Sequence, residues 1–211
     1  MIDDVVALRR DLHAHPELAY EEKRTTDVIV DRLRRAGLAP QVLPGGTGAT
    51  CDIGTVGPNG RLIALRADID ALPISDLKDV PYRSTVDGVC HGCGHDAHTA
   101  ILLATAAELA RADLAGRIRL IFQPAEESLP GGALSVIAAG ALDGVEQVFA
   151  LHCDPHLETG QVGARIGPVT AACDEVEVVL SGPGGHTARP QLTVDVVYAM
   201  GRLITELPGL L

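Results

Sequence analysis

The sequence predicts an α/β fold, a mostly parallel sheet flanked by helices, followed by the start of a small α+β domain. Three observations carry this. Apolar strand patterns at 61–65, 117–122 and 147–151 alternate with helical patterns, as in sheets with crossover helices. Asp68/Asp70, Glu126/Glu127 and His152 fall at or just past the C-terminal ends of those strands, the edge where open α/β sheets bind ligands. The character then changes near residue 170, where charged and apolar residues alternate over Glu175–Leu180 ahead of a glycine-rich loop. The expected domains are therefore 1–170 and 171–211.

In chain order, Asp4–Ala14 places Val5, Leu8 and Leu12 at helical spacing and stops before Pro16. Glu21–Ala36 is a second amphipathic helix with Gly37 as its C-terminal stop. Strands are expected at Gln41–Leu43 and Ala49–Val56, with a turn at Pro58-Asn59-Gly60 before the buried strand 61–65. After a long loop, an apolar helix is expected over Thr99–Ala110, a strand over Arg117–Phe122 and a short helix over Ala133–Ala139. Gln147–Leu151 is a further strand, and Val194–Leu207 a last helix.

Composition narrows the function classes. A net charge of −11 argues against binding a phosphate backbone, and no apolar run reaches the length of a membrane span. The acidic start lacks the basic region of a secretory signal, so a cytoplasmic setting is expected. With three Tyr, two Phe and no Trp, the core must be built from aliphatic side chains. Five cysteines are an odd number; Cys51, Cys153 and Cys173 read as free thiols in a reducing compartment.

The densest chemistry is Cys90-His91-Gly92-Cys93-Gly94-His95-Asp96-Ala97-His98, on a loop leading into the helix at Thr99. Thiolate, imidazole and carboxylate are the ligands of a borderline-soft divalent metal, and Cys93 and His95 are the strongest candidates. A structural Cys-x-x-Cys zinc needs a second Cys/His pair, and none follows; a redox dithiol of Cys90 and Cys93 stays open. The Glu126-Glu127 pair, at a strand end beside a metal, suits one ligand and one proton acceptor, although paired acids are also common on solvated surfaces. Asp68 and Asp70 are read as caps, or as carboxylates fixing a ligand imidazole. His13, His15, His91, His98 and His156 are read as structural.

Four segments in order resemble one family: Leu12-His13-Ala14-His15-Pro16-Glu17, Arg66-Ala67-Asp68-Ile69-Asp70-Ala71-Leu72-Pro73, Cys93-Gly94-His95-Asp96-Ala97-His98-Thr99-Ala100 and Gln123-Pro124-Ala125-Glu126-Glu127. They are similar to the dinuclear-metal amidohydrolases that include hippurate hydrolase, N-acyl-amino-acid amidohydrolases and auxin-conjugate hydrolases. The resemblance implies a zinc-exopeptidase-like catalytic domain and two divalent metal ions, zinc or manganese, with cobalt as an alternative. It implies Cys93, His95, Glu127 and His152 as metal ligands, Glu126 as general base and Asp70 as the residue orienting a ligand. Gly184-Gly185-His186 with Pro190 resembles the start of a lid and dimerisation domain, with His186 stabilising an oxyanion in the partner subunit of a homodimer. The implied substrates are N-acyl amino acids or short peptide-like amides. Family members are nearly twice as long, so the chain reads as an N-terminal part without the fifth ligand. Two other readings follow: an inactive fragment that at most dimerises, and a thiol or metal-binding module.

Overall fold

The computed structural model describes residues 2–55, 60–169, 176–186 and 188–209, and the chain divides into two compact units, Met1–Glu158 and Thr159–Leu211. The first contains helices α1 (Ile2–Ala14), α2 (Lys23–Arg35), α3 (His95–Leu109) and α4 (Ala133–Ala138). Its strands are β1 (Gln41–Val42), β2 (Ala49–Ile53), β3 (Leu62–Asp68), β4 (Arg117–Gln123) and β5 (Gln147–Ala150).

These strands form one sheet in the order β1-β2-β4-β3-β5. β3 pairs in parallel with β4 and β5, whereas β2 is antiparallel to both β1 and β4. The sheet is thus mixed, with β1, β3, β4 and β5 running in one direction and β2 against them. The short link from Val42 to Ala49 is a hairpin connection, which can only return the next strand antiparallel. The parallel half carries β3, β4 and β5 side by side, and their C-terminal ends share one edge.

The alternation of strand side chains builds two cores. Leu120 and Phe122 of β4 pack with Ala67 of β3, Leu8 and Leu12 of α1, Ile29 and Leu33 of α2, and Leu102 and Leu103 of α3. The intervening Ile121, with Ala64, packs on the other face against Leu43, Val136 and Ala141. β5 closes the parallel side with all four residues exposed. At the opposite end of β4, Arg119 donates two bonds to the Asp52 carboxylate of β2, at 2.7 and 2.9 Å.

The start of α2 has an unusual cap. Glu22 stands at the N-cap position and makes no side-chain cap bond. Glu17 instead accepts the Arg24 and Thr25 amides, at 2.9 and 2.7 Å, satisfying two donors that the helix leaves unpaired. Glu17→Ala is expected to lower stability by about 1–2 kcal/mol in chemical denaturation, the usual scale of a lost N-cap. An unchanged midpoint would show that solvent caps these amides equally well.

Several expectations shift. α3 begins at His95, one turn before Thr99, because Gly94 turns the chain in the left-handed region (φ 96°) and the polar His95-Asp96-Ala97-His98 forms the first helical turn. Asp96 there also complements the positive end of the helix dipole. The expected strand to Val56 ends at Ile53. Pro58 and Asn59 of the expected turn, and Cys173, lie outside the described residues.

In the second unit, α5 (Val196–Glu206) is capped by the Asp195 carboxylate, which accepts the Tyr198 amide at 2.9 Å. The Thr193 hydroxyl donates to the Pro183 carbonyl across the glycine-rich loop. The strand expected over Glu175–Leu180 is absent: residues 176–180 join no ladder, and Glu175 lies outside the described residues. Alternation alone does not make a strand without a partner to accept its backbone bonds. Among the described residues no helix is long and apolar enough to cross a membrane.

Candidate metal centre

Three parallel strands and one helix deliver the candidate residues to a single place. β3 ends in Asp68, followed by Asp70; β4 runs out through Pro124 to Glu126 and Glu127; β5 is followed by His152; and α3 begins with His95. His95 is buried in their midst, its Nε2 3.8 Å from a Glu127 oxygen, 3.9 Å from a Glu126 oxygen and 3.5 Å from Asp68 Oδ2. Cys93 Sγ lies 3.2 Å from His152 Nε2.

The hydrogen bonds fix the ring orientations. His95 Nδ1 donates to the Asp70 carbonyl (2.9 Å) and faces Asp70 Oδ1 (3.2 Å), while Asp70 Oδ2 accepts the Glu127 amide at 2.9 Å. One buried carboxylate therefore orients an imidazole and anchors the backbone of the acidic pair. His152 Nδ1 donates to the Cys153 carbonyl at 2.8 Å, turning Nε2 toward Cys93. His98 Nδ1 donates to Asp68 Oδ1 at 2.7 Å, and its Nε2 accepts the Cys153 amide at 2.9 Å. His98 thus ties the loop after β5 to the end of β3.

Side-chain donors converge in three groups: Cys93, His95 and His152; His95, Glu126 and Glu127; and Asp68, His95 and His98. The third is already committed, because both His98 nitrogens are bonded and Asp68 also takes Arg66 Nη1 at 2.7 Å. The first two share His95, whose Nε2 is buried without a hydrogen-bond partner. A buried, unpartnered imidazole nitrogen facing carboxylates and a thiol has the chemistry of a metal donor, so the residues fit a divalent ion.

The charges agree with that fit. Burial would raise the Asp68 carboxyl, but the His98 hydrogen bond, His95 and Arg66 bring it down to about 2. Asp70 is likewise held low against burial, by His95 and by the backbone amides of Glu127 and Glu126. Burial would lower the His95 imidazole, yet Asp70 and Asp68 raise it. Burial raises Glu126, and the Glu127 carboxylate adds to the effect. Burial, then the neighbouring Glu127, push the Cys93 thiol up to about 12. This cluster of carboxylates and a thiol is one that a cation would relieve, reversing the local pKa order.

All five residues expected around a metal or its water, Cys93, His95, Glu126, Glu127 and His152, meet here, with Asp70 beside them. His186 lies in the second unit, exposed, its Nδ1 accepting the Ala188 amide at 3.1 Å. His98, read as structural, is committed to Asp68 and the Cys153 amide, and its i,i+3 spacing puts it on the same face of α3 as His95. Cys90 is buried on a short bridge with Leu72, whereas Cys93 faces His152. His13, by contrast, sits away from the donor groups between Asp96 (2.6 Å) and Asp76 (3.2 Å).

Residues 64–208 match the profile of peptidase family M20/M25/M40. A Rhodococcus jostii protein provisionally named glutamate–cysteine ligase 2-3 is 55% identical over 98% of this chain, which covers 26% of that protein. N-acetylcysteine deacetylase of Bacillus subtilis is 43% identical over 96% of this chain and 54% of its own length. Among solved structures, the Bacillus subtilis YXEP protein, described as a dinuclear metal-binding peptidase of the M20 family, aligns with a TM-score of 0.74 and 43% identity. That alignment covers 79% of this chain and 47% of the YXEP chain. The chain thus spans from about a quarter to about half the length of these relatives.

Proposed function

Since this chain belongs to peptidase family M20/M25/M40, we propose that it supplies most of the active site of a metal-dependent amidohydrolase acting on N-acyl amino acids or related small amides. The observation that carries the proposal is the orphaned, buried His95 Nε2 facing Cys93, His152 and the Glu126–Glu127 pair. Cys93, His95, Glu127 and His152 are the proposed ligands of two divalent ions, and the thiolate favours zinc over manganese. When bound, such ions polarise the acyl carbonyl and make water acidic enough to lose a proton near neutral pH.

The protein's own groups then divide the work. Glu126 Oε2 takes the proton of the attacking water, and hydroxide adds to the acyl carbon. The carbon–nitrogen bond breaks, and Glu126 returns the proton to the departing amine. In the metal-free site, burial and the adjacent Glu127 charge raise the Glu126 carboxyl above its ordinary value. Asp70 holds the His95 ring with Nε2 free and fixes Glu127 through its amide. For His186, in the second unit, the proposed role is stabilising the oxyanion in a partner subunit's site, the unit serving as a dimerising lid. A cytoplasmic setting would keep Cys93 reduced.

Metal uptake tests the proposal. The chain, equilibrated separately with zinc and with manganese and freed of excess metal, is expected to retain zinc preferentially by elemental analysis and to lose it in His95→Ala. A wild-type chain that retains neither metal would overturn the ligand assignment.

A further inference from the structure

We infer that Glu22 is a positioning residue that aims the Glu126–Glu127 pair by pinning Ala125 in a left-handed backbone conformation. The inference rests on the proposed function for what the pair does, while the pin itself belongs to the metal-free fold.

Glu22 is fully buried at the start of α2. Its Oε1 accepts the Ala125 amide at 2.8 Å, and its Oε2 has no hydrogen-bond partner. Burying a carboxyl group is costly, and an aliphatic side chain would fill the same space without that cost. Glu22 must therefore do something beyond packing.

Its partner shows what that is. Ala125 has φ 51°, a conformation disfavoured for any residue bearing a Cβ and one that persists only where the surroundings impose it. Glu22 holds its N–H, and its carbonyl accepts the Gly132 amide at 2.7 Å. Gly132 approaches so closely that a Cβ there would lie 1.9 Å from the Pro124 carbonyl oxygen, so the clamp tolerates no side chain. Both ends of Ala125 are thus gripped.

The strain has a geometric use. Along a regular strand, consecutive side chains point to opposite faces. Continued in that way past β4, Glu126 and Glu127 would diverge, and only one could face His95. The left-handed residue breaks the alternation, and both carboxylates lie within 4 Å of His95 Nε2, at 3.9 and 3.8 Å. Asp70 holds the far side of the same turn through the Glu127 amide.

Amide hydrogen exchange, followed by NMR without metal in wild type, Glu22→Leu and Glu22→Gln, tests the assignment. Glu22→Leu keeps volume but removes the acceptor, and should speed exchange by about tenfold or more at both Ala125 and Glu127, with Leu65 and Leu120 in the core strands unchanged. Glu22→Gln keeps an acceptor oxygen and should preserve protection at both. Glu127 is the telling position, because its amide bonds to Asp70 and not to Glu22. An unchanged Glu127 rate in Glu22→Leu, or equal losses in both variants, would overturn the inference. Should Glu22→Leu fail to fold, the wild-type rate decides: an Ala125 amide exchanging as fast as an exposed one means there is no pin. A parallel zinc titration, expected to show about tenfold weaker binding in Glu22→Leu and none of that loss in Glu22→Gln, reads the consequence at the metal. A wild-type chain that binds no zinc would sink the proposed function, and the exchange rates would still decide the role of Glu22.

Discussion

Under the proposed function, Glu126→Gln should retain zinc at the wild-type level while turnover of an N-acetyl amino acid falls by about 10²–10⁴-fold, the span attributed to a positioned general base. The amide keeps the size and the hydrogen-bonding edge of the carboxylate but cannot take a proton from water. The separation of the two readouts matters, because Glu126 and Glu127 lie equally near His95 Nε2. What distinguishes them is Cys93, whose thiol feels the Glu127 carboxylate more strongly than that of Glu126. Glu126, with 41% of its side chain exposed against 23% for Glu127, is also the one that substrate and water can reach more readily. If Glu126→Gln loses zinc along with activity, the two roles are exchanged. Undiminished turnover would remove Glu126 from the chemistry.

Asp70→Ala should weaken zinc binding by about 10–100-fold, the usual effect of losing a carboxylate that orients a metal-bound imidazole. The loss has two origins that add at one place. The His95 ring gives up its Oδ1 partner and keeps only the Asp70 carbonyl, so its Nε2 is no longer held to one direction. The Glu127 amide, now bonded to Oδ2, is left without that acceptor and shifts the residue that carries the other donor. Calorimetric zinc titration measures the change, and affinity within twofold of wild type would show that the backbone alone sets both ligands.

Much of this site was legible because it uses side chains whose chemistry is local. Two thiols and three imidazoles within Cys90–His98, and acids or His152 at three strand ends, declare a metal-binding edge before any contact is known. Position in the sheet was legible for the same reason: β3, β4 and β5 are apolar runs that end in polar residues. What could not be read depends on contacts across long stretches of chain. The pairing of β2 with β4 brings together residues about 70 apart, and nothing in Ala49–Ile53 points to it. The early start of α3 was hidden because its first turn is polar, and an apolar periodicity is blind to it. What His98 ties together could not be read, since its partners, Asp68 and the Cys153 amide, lie 30 and 55 residues away. Glu22 falls within the expected helix Glu21–Ala36, and nothing local marks its bond to the Ala125 amide, 103 residues away.

The reversed direction of β2 insulates the chemistry from the part of the sheet that is easiest to alter. Because β2 runs against β4, its C-terminal end meets the beginning of β4, where Asp52 and Arg119 form their paired bonds at the edge opposite the metal donors. That far edge contributes cohesion without supplying a ligand. Substitutions that strengthen or weaken it can accumulate there with little effect on the geometry around His95, so the domain's robustness and its reactivity are free to be tuned separately.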